Sequence, residues 1–262
     1  MGGSTVVLGW QLGVALAALV VIAVVASVIG RLGTGRQSAV AAVRAVVQLG
    51  AVAAVILVVV RHWWATVLFV LVMLGVATWT SARRMSEGRG GWTAGIAILA
   101  GTVPVLAVVL VSGAVPLTGI AVVPIAGIVI GGAMSATSVA GRRALDQLSL
   151  RRGEYEAALS LGLVPRDAAL VVVRATATEA LVPALDQTRT VGLVTLPGAF
   201  VGVLLGSGDP VRAGAAQVLV LVGLLAAETV AVLTVVELVA RGHIRRDEPA
   251  PSFLRRLRHR IG

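Results

Sequence analysis

Residues 119–140 read GIAVVPIAGIVIGGAMSATSVA, a run of apolar and small residues without any charged side chain. A helix needs about 20 predominantly apolar residues to cross the ~30 Å hydrocarbon core of a bilayer. The rest of the chain has the same character, because 58% of its residues are hydrophobic, only 13% are charged and its mean hydropathy is +0.98. An ordinary soluble domain is about 45–50% apolar and about one quarter charged. The sequence therefore predicts an all-α membrane protein.

Six further apolar runs lie on both sides of this one. Together they predict about seven transmembrane helices, of which the sixth is short and rich in glycine. The predicted spans are residues 6–29, 40–60, 65–82, 92–112, 119–140, 191–206 and 213–240.

The distribution of positive charge predicts how these spans are oriented. The net charge is +10, and all 22 basic residues are arginines. Nearly all of them follow spans one, three, five and seven, whereas the loops of the opposite side hold only Arg61 and Arg212. Because cytoplasmic loops carry an excess of basic residues, we expect the N-terminus outside and the C-terminus in the cytoplasm. In a membrane protein this bias, rather than nucleic-acid binding, is the first interpretation of such a charge.

The same pattern divides the chain into a transmembrane domain, residues 1–240, and a basic cytoplasmic tail, residues 241–262. The tail mixes apolar residues with arginines. This composition suits either a helix lying on an anionic membrane surface or a solvated tail.

The loop between spans five and six, residues 141–190, is too long for a passive connection in a compact bundle. It contains GEYEAALSLGLVPRDA at residues 153–168. A first helical piece is predicted at 153–163, because Gly162 and then Pro165 are typical of a helix end.

A second helical piece of this loop is predicted from Arg166 to about residue 182, where Pro183 breaks or kinks it. Arg174 and Glu179 interrupt its apolar length. We therefore expect this piece to lie against the membrane or the bundle rather than to cross the bilayer.

The first piece contains the pattern E-A-A-x-x-x-G, from Glu156 to Gly162. This pattern resembles the cytoplasmic loop signature of permease subunits of ATP-binding-cassette transporters, whose loop helix docks into a groove on the ATPase. Small alanines allow close docking, the glycine ends the helix, and the carboxylate can pair with a basic rim. The alternative is an ordinary interfacial amphipathic helix. The resemblance implies that the ATPase-coupling residues are Glu154, Glu156, Ala157, Ala158, Gly162 and Arg166.

Further motifs carry a resemblance over about residues 35–240. They are RAVVQL at 44–49, PIAGIVIGGAM at 124–134, ALVP at 180–183 followed by Asp186, TVGLVTLPG at 190–198, and Asp209-Pro210 with Gln217. These motifs are similar to those of the Fet-type permease family, which comprises bacterial iron exporters and plant relatives linked to aluminium tolerance.

This resemblance implies a multi-pass permease subunit of the bacterial inner (plasma) membrane. It implies a separate cytoplasmic ATPase as partner, two copies of each subunit, and export of iron or another metal ion. ATP and Mg would be bound by the partner, with no cofactor in this chain. The chain departs from the family pattern at Gly132, where the family has an asparagine, and at Ala199 and Ala216, where a methionine and a tyrosine are frequent. These departures leave the substrate open.

The residue types that are missing restrict the chemistry. A P-loop needs a lysine to reach the terminal phosphates, and the chain contains none. It also contains no cysteine, and its three histidines fall in predicted loops. No catalytic constellation is found, so the chain is not expected to be an enzyme, and any metal ligands are unknown.

Ionisable groups at membrane depth are candidates for a translocation pathway or gate, because they are costly to insert. Arg44 lies one helical turn from Gln48, so the two share a face. Arg44 either takes part in closing an inner gate or only extends its guanidinium to the membrane interface. Glu228 is the deepest charge of span seven, and it either handles cations or forms an ion pair with Arg44 or backbone donors. Glu237 is expected at the interface.

Three further places complete the pathway candidates. Met134 and Ser135 end span five, where small residues more often serve helix packing. The run Leu196-Pro197-Gly198 interrupts span six, where a broken helix can expose carbonyls to a pathway, or forms a packing kink. Gln217 is included on the family resemblance.

The leading hypothesis is therefore a homodimeric permease subunit of an ATP-driven metal-ion exporter. One rival is a secondary transporter or channel that uses Arg44 and Glu228 without an ATPase. The other is a membrane scaffold or sensor without transport activity.

Overall fold

The computed structural model describes residues 9–85 and 89–245, and these ranges are almost entirely helical. Their α-helices, α1 to α10 in chain order, are Trp10–Ile29, Gly35–Arg61, Trp63–Met85, Ala94–Val111, Gly119–Leu150, Arg152–Ser160, Pro165–Ala177, Val182–Thr190, Gly198–Ser207 and Pro210–Ala240. The 3₁₀ segments Arg89–Thr93 and Thr178–Leu181 precede α4 and α8. Within the described ranges there is no β-strand, only an isolated bridge between Val191 and Thr195. The all-α prediction is confirmed.

Six helices in the described ranges are long and apolar enough to cross a membrane, namely α1, α2, α3, α4, α5 and α10. A seventh is obtained if α7 and α8, which meet at a bend of 45°, are counted as one broken span. The multi-pass prediction is thus confirmed, while the side on which each terminus lies stays a prediction. The predicted tail falls outside the described ranges from residue 246 onward.

The chain forms two compact units, residues 1–59 and 60–262. In the first unit a polar turn connects α1 and α2. Ser27, at the end of α1, is 4% exposed, and its Oγ accepts a hydrogen bond of 3.0 Å from the backbone N–H of Thr34. This contact satisfies a donor that would otherwise be free where the chain reverses.

In the second unit α3 and α5 run in the same direction. The hydroxyl of Ser138 on α5 donates a 3.0 Å hydrogen bond to the hydroxyl of Ser81 on α3. About three helical turns earlier on α5, a Cβ placed on Gly127 would lie 3.0 Å from Cε of Met73 on α3. Residue numbers therefore rise together along the two helices, which makes them parallel. Small residues let the backbones come this close.

The last helix, α10, is parallel to α5. A Cβ on Gly132 would lie 2.6 Å from Oε1 of Glu228, and a Cβ on Gly141 would lie 3.2 Å from Cγ2 of Val235. The contacts again rise together along the two helices, so α5 and α10 finish at the same end of the unit, which we refer to as the loop end.

The fourth helix runs in the opposite direction. A Cβ on Gly101 of α4 would lie 3.1 Å from Cβ of Ala231 on α10. Further along α4, Val105 lies 3.3 Å from where a Cβ on Gly223 would stand. Numbers rise along α4 while they fall along α10, so these two helices are antiparallel.

Because α5 and α10 are parallel, the chain between residues 151 and 209 must return along the whole length of the bundle. It does so in pieces rather than through one straight helix. The predicted sixth span at 191–206 is wrong in its bounds, because only α9, Gly198–Ser207, is helical there. Residues 191–197 form a loop in which Gly192 has φ 80° and donates its N–H to the carbonyl of Thr195 at 2.9 Å. A positive φ of this kind favours glycine.

The predicted second piece of the long loop is helical and packs against the bundle, while the expectation that it does not cross the bilayer stays a prediction. It forms α7, whose Ala168, Val172 and Val173 have no exposed surface. The prediction that Pro183 breaks this piece needs correction. The α-helix already ends at Ala177, and Pro183 stands in the first turn of α8, where its missing N–H costs nothing.

Candidate functional site

The short helix α6 begins directly after α5, at the loop end. Glu154 stands in its first turn, where the helix dipole favours a negative charge. Arg151 donates from Nε to Glu154 Oε1 at 2.7 Å. This hydrogen bond lowers the pKa of Glu154 below its ordinary range. On the next turn Arg152 donates from Nε to Glu156 Oε1 at 2.9 Å.

Gly162 ends α6 in the way that its sequence predicts. Its φ is 90°, and its N–H donates to the carbonyl of Leu159 at 2.9 Å. The N–H of Leu163 donates to the carbonyl of Ala158 at 3.2 Å. These two bonds form a Schellman motif, which needs a left-handed residue at the position of Gly162.

The predicted coupling residues fall into two groups. Ala158 is buried at 8% exposure and packs inward. Glu154, Glu156 and Ala157 are exposed. Leu161 is 83% exposed, and its side chain extends the accessible face of α6. Exposed acidic, small and apolar groups are therefore available on one short helix.

Arg166, the sixth coupling candidate, points to α10 instead. Its Nε donates to Glu237 Oε1 at 2.5 Å and its Nη2 donates to Oε2 at 2.9 Å. Arg241 donates from Nε to the same carboxylate at 2.6 Å. Sequence reasoning placed Glu237 at the interface and missed this contact, because residues 71 positions apart share no local pattern.

Gln217 of α10 is hydrogen-bonded to the first turn of α9, which is the helical part of the predicted sixth span. Its side chain is 4% exposed, and Oε1 accepts a 3.1 Å hydrogen bond from the backbone N–H of Phe200. Phe200 lies in the first turn of α9, where backbone donors lack partners within the helix. Pro197 and Gly198 stand at the start of α9 rather than at a break within one helix, and Gln217 satisfies one of the first donors of α9.

Glu228 lies on the same face of α10 as Gln217, since eleven residues are close to three turns. At ~1.5 Å per residue the two are about 16 Å apart along the helix and do not form one cluster. Glu228 is 8% exposed. No hydrogen bond or ion pair joins its carboxylate to another described residue of the second unit. A buried carboxylate without a partner is costly, which makes Glu228 a candidate for a functional role.

Helix α4 brings a second unpaired polar group close to this depth. A Cβ on Gly101 would lie 3.2 Å from the carbonyl carbon of Ala227, the residue before Glu228. Thr102 follows Gly101, is fully buried, and its hydroxyl has no hydrogen-bond partner among the described residues. Thr102 and Glu228 each follow one residue of the contact between Gly101 and Ala227. Because α4 and α10 are antiparallel, Thr102 and Glu228 lie on the same side of that contact.

The other pathway candidates lie elsewhere. Met134 is half-buried and packs against the apolar cluster formed by α3, α4, α5 and α10, while Ser135 is exposed. In the first unit Arg44 and Gln48 are exposed on one face of α2. The ion pair of Arg44 with Glu228 stays a prediction.

The described ranges hold no group of three or more His, Cys, Asp or Glu residues that could bind a metal ion. A resident metal centre made of such side chains is therefore not part of residues 9–85 and 89–245.

These features define a multi-pass, all-α membrane protein with a short exposed helix at one end of its bundle and unpaired polar groups within it. The sequence profile of the uncharacterised protein family UPF0014 matches residues 10–244. The chain belongs to this family.

Three curated relatives show how far the similarity extends. "UPF0014 membrane protein STAR2" of Oryza sativa subsp. japonica is 35% identical over 83% of this chain and 77% of its own. "Protein ALUMINUM SENSITIVE 3" of Arabidopsis thaliana is 36% identical, over 64% and 62%. "Probable iron export permease protein FetB" of Escherichia coli K12 is 33% identical, over 59% and 60%. No solved structure matches the chain. The predicted resemblance to the Fet-type family is confirmed.

Proposed function

We propose that this chain is the permease subunit of an ATP-binding-cassette transporter that exports iron or another metal ion. It acts as a homodimer in a bacterial plasma membrane, and a separate cytoplasmic ATPase drives it. The observation that carries the proposal is α6, a short helix at the loop end whose acidic and small side chains are exposed.

The geometry of α6 suits docking into a groove of a partner. The Schellman motif at Gly162 gives the helix a defined end, so its exposed face has a fixed orientation. Ala158 anchors the inner side, and Glu156 and Ala157 remain accessible on the outer side. An exposed carboxylate beside a small residue can pair with a basic rim without a steric clash.

The absence of an ATP-binding motif in this chain supports a separate ATPase as partner. The chain has no lysine and hence no standard P-loop. ATP and Mg would therefore be bound by the other subunit. The arginine bias supports a cytoplasmic location of the loop end, where such an ATPase operates.

The metal substrate and the export direction rest on the relatives. One relative is named a probable iron export permease, and another is named for aluminium. Within this chain, the unpaired carboxylate of Glu228 is the group best suited to attract a cation on its way through the bundle.

Docking is tested by co-expressing the full chain with the candidate ATPase and measuring the ATPase that purifies with it. Glu156→Lys should abolish co-purification, because it reverses the exposed charge. Arg152→Ala is the matched control, since it breaks the same 2.9 Å ion pair but leaves the carboxylate in place. If Glu156→Lys purifies with as much ATPase as the unmodified chain does, α6 is not the docking element.

Metal export is tested by the cellular content of iron, manganese, zinc and aluminium in a strain that lacks the gene. We expect at least one metal to accumulate, and a profile unchanged for all four excludes export. Vesicles that contain only this chain distinguish the ATP-driven exporter from a secondary transporter, in which Glu228 would also have a role. Metal movement across them without ATP or ATPase would favour that rival.

A further inference from the structure

An ion-pair cluster joins the first turn of α7 to the last turn of α10. Arg166 makes two parallel hydrogen bonds to Glu237, of 2.5 and 2.9 Å, and Arg241 adds a third of 2.6 Å. Two parallel bonds between a guanidinium and a carboxylate fix both the distance and the angle between the groups. The cluster therefore determines where α7 begins along α10.

Helix α7 is also the element against which α6 rests. Only residues 161–164 separate the two helices. Ala158 of α6 is buried, and Tyr155 packs against the apolar cluster to which Val172 of α7 belongs. A displacement of α6 must therefore be transmitted to α7.

Apolar packing alone does not fix how α7 moves relative to α10. Val172 and Val173 are fully buried in the same cluster as Val235 and Val236 of α10. Such contacts hold the helices together, but the hydrophobic effect has no preferred direction. The directional contact is the one between Arg166 and Glu237.

Stability is not what this pair chiefly supplies. The side chains of Arg166 and Glu237 are 44% and 27% exposed. Solvent screens an ion pair at this exposure, and side-chain ordering offsets much of the remaining attraction. A contact of precise geometry and small energetic value is better suited to positioning than to holding the fold.

We propose that the Arg166–Glu237 pair is a positioning joint that transmits displacement of α6 and α7 to α10, the span that carries Gln217 and Glu228. The inference rests on the proposed function, because an ATPase must move α6. Without the joint, α7 slides along α10, so ATP is hydrolysed while the pathway residues of α10 stay in place.

The test uses the full chain in complex with its ATPase and exploits the absence of cysteine in the sequence. Arg166→Cys and Glu237→Cys are made singly and together. We expect each variant to retain ATPase co-purification and the unfolding temperature of the parent, while metal export per ATP hydrolysed falls by about fivefold or more. A short thiol-specific cross-linker should restore export in the double variant and in neither single one.

Two further variants separate positioning from charge. Arg166→Lys keeps the charge but cannot make two parallel bonds, so it should also reduce export per ATP. Arg174→Cys, on the same helix, is the control, because the side chain of Arg174 has no hydrogen bond or ion pair within the described ranges. It should behave like the parent with and without the cross-linker.

The outcomes are distinguishable. If the unmodified chain does not bind or stimulate an ATPase, the proposed function fails and the joint fails with it. If the unmodified complex exports metal but the double cysteine variant does so equally well, the joint alone is wrong. A cross-linked double variant that stays uncoupled also overturns the joint.

Discussion

Gly132 of α5 lies directly against the carboxylate of Glu228 on α10, since a Cβ on Gly132 would stand 2.6 Å from Oε1. The structure shows that the absent side chain leaves the space that the carboxylate occupies. A change at position 132 therefore acts on Glu228, which is the most deeply buried acidic group among the described residues of the second unit.

Gly132→Ala is expected to destabilise the protein by about 1–3 kcal/mol, because overpacking forces Leu224 and Glu228 to move. Unfolding in mixed detergent micelles measures the change. Gly131→Ala is the matched control, since a Cβ there meets nothing within 4 Å. It should be neutral or stabilising by roughly 0.5–1 kcal/mol, as expected for alanine in a helix. Equal effects of the two variants would show that position 132 is not crowded.

Glu228→Gln should retain the fold and lose metal export. Glutamine has nearly the same shape but no charge, so the cost of an unpaired carboxylate in the bundle disappears. We expect unchanged or greater resistance to unfolding and a drop of about tenfold or more in export. Thr229→Val, at the neighbouring exposed position, should leave export unchanged. Normal export by Glu228→Gln would show that the carboxylate has no part in transport.

The sequence predicted the features that follow from local pattern and not those that join distant residues. Apolar length revealed the long spans, and Gly162 with Pro165 revealed the end of α6. The bounds of the sixth span were wrong because an apolar run such as 191–197 has the same composition in a loop as in a helix. The contacts of Arg166 with Glu237 and of Gln217 with Phe200 depend on tertiary packing, which a single sequence does not encode at any fixed spacing.

Gly162→Ala should weaken α6, because alanine at φ 90° is strained. The left-handed conformation costs about 1–2 kcal/mol for a residue with a Cβ. We expect faster amide hydrogen exchange throughout α6 and weaker ATPase co-purification. Gly153→Ala is the control on the same helix, since a Cβ there meets nothing within 4 Å, and it should slow exchange. Unaltered amide exchange in Gly162→Ala would contradict the left-handed conformation of Gly162 at the end of α6.

The Arg151–Glu154 contact should be visible in a pH titration. The hydrogen bond from Arg151 lowers the pKa of Glu154 from its ordinary value of 4.5. Its contribution to α6 is therefore fully present above pH 4.5 and is lost as the pH falls through the lower pKa of the folded state. The carboxyl ¹³C shift of Glu154 should titrate with a midpoint below 4.5, and Arg151→Ala should raise that midpoint. A midpoint that Arg151→Ala does not change would exclude the contact.

Gln217→Leu should weaken the attachment of α9 to α10 without unfolding the bundle. The variant leaves the backbone N–H of Phe200 without the acceptor that now lies 3.1 Å away. An unsatisfied buried donor costs about 1–3 kcal/mol, which should appear as faster amide exchange at Phe200. Gln217→Glu keeps an oxygen acceptor and should retain most of the protection. Slow exchange at Phe200 in Gln217→Leu would mean that α9 is held by apolar packing alone.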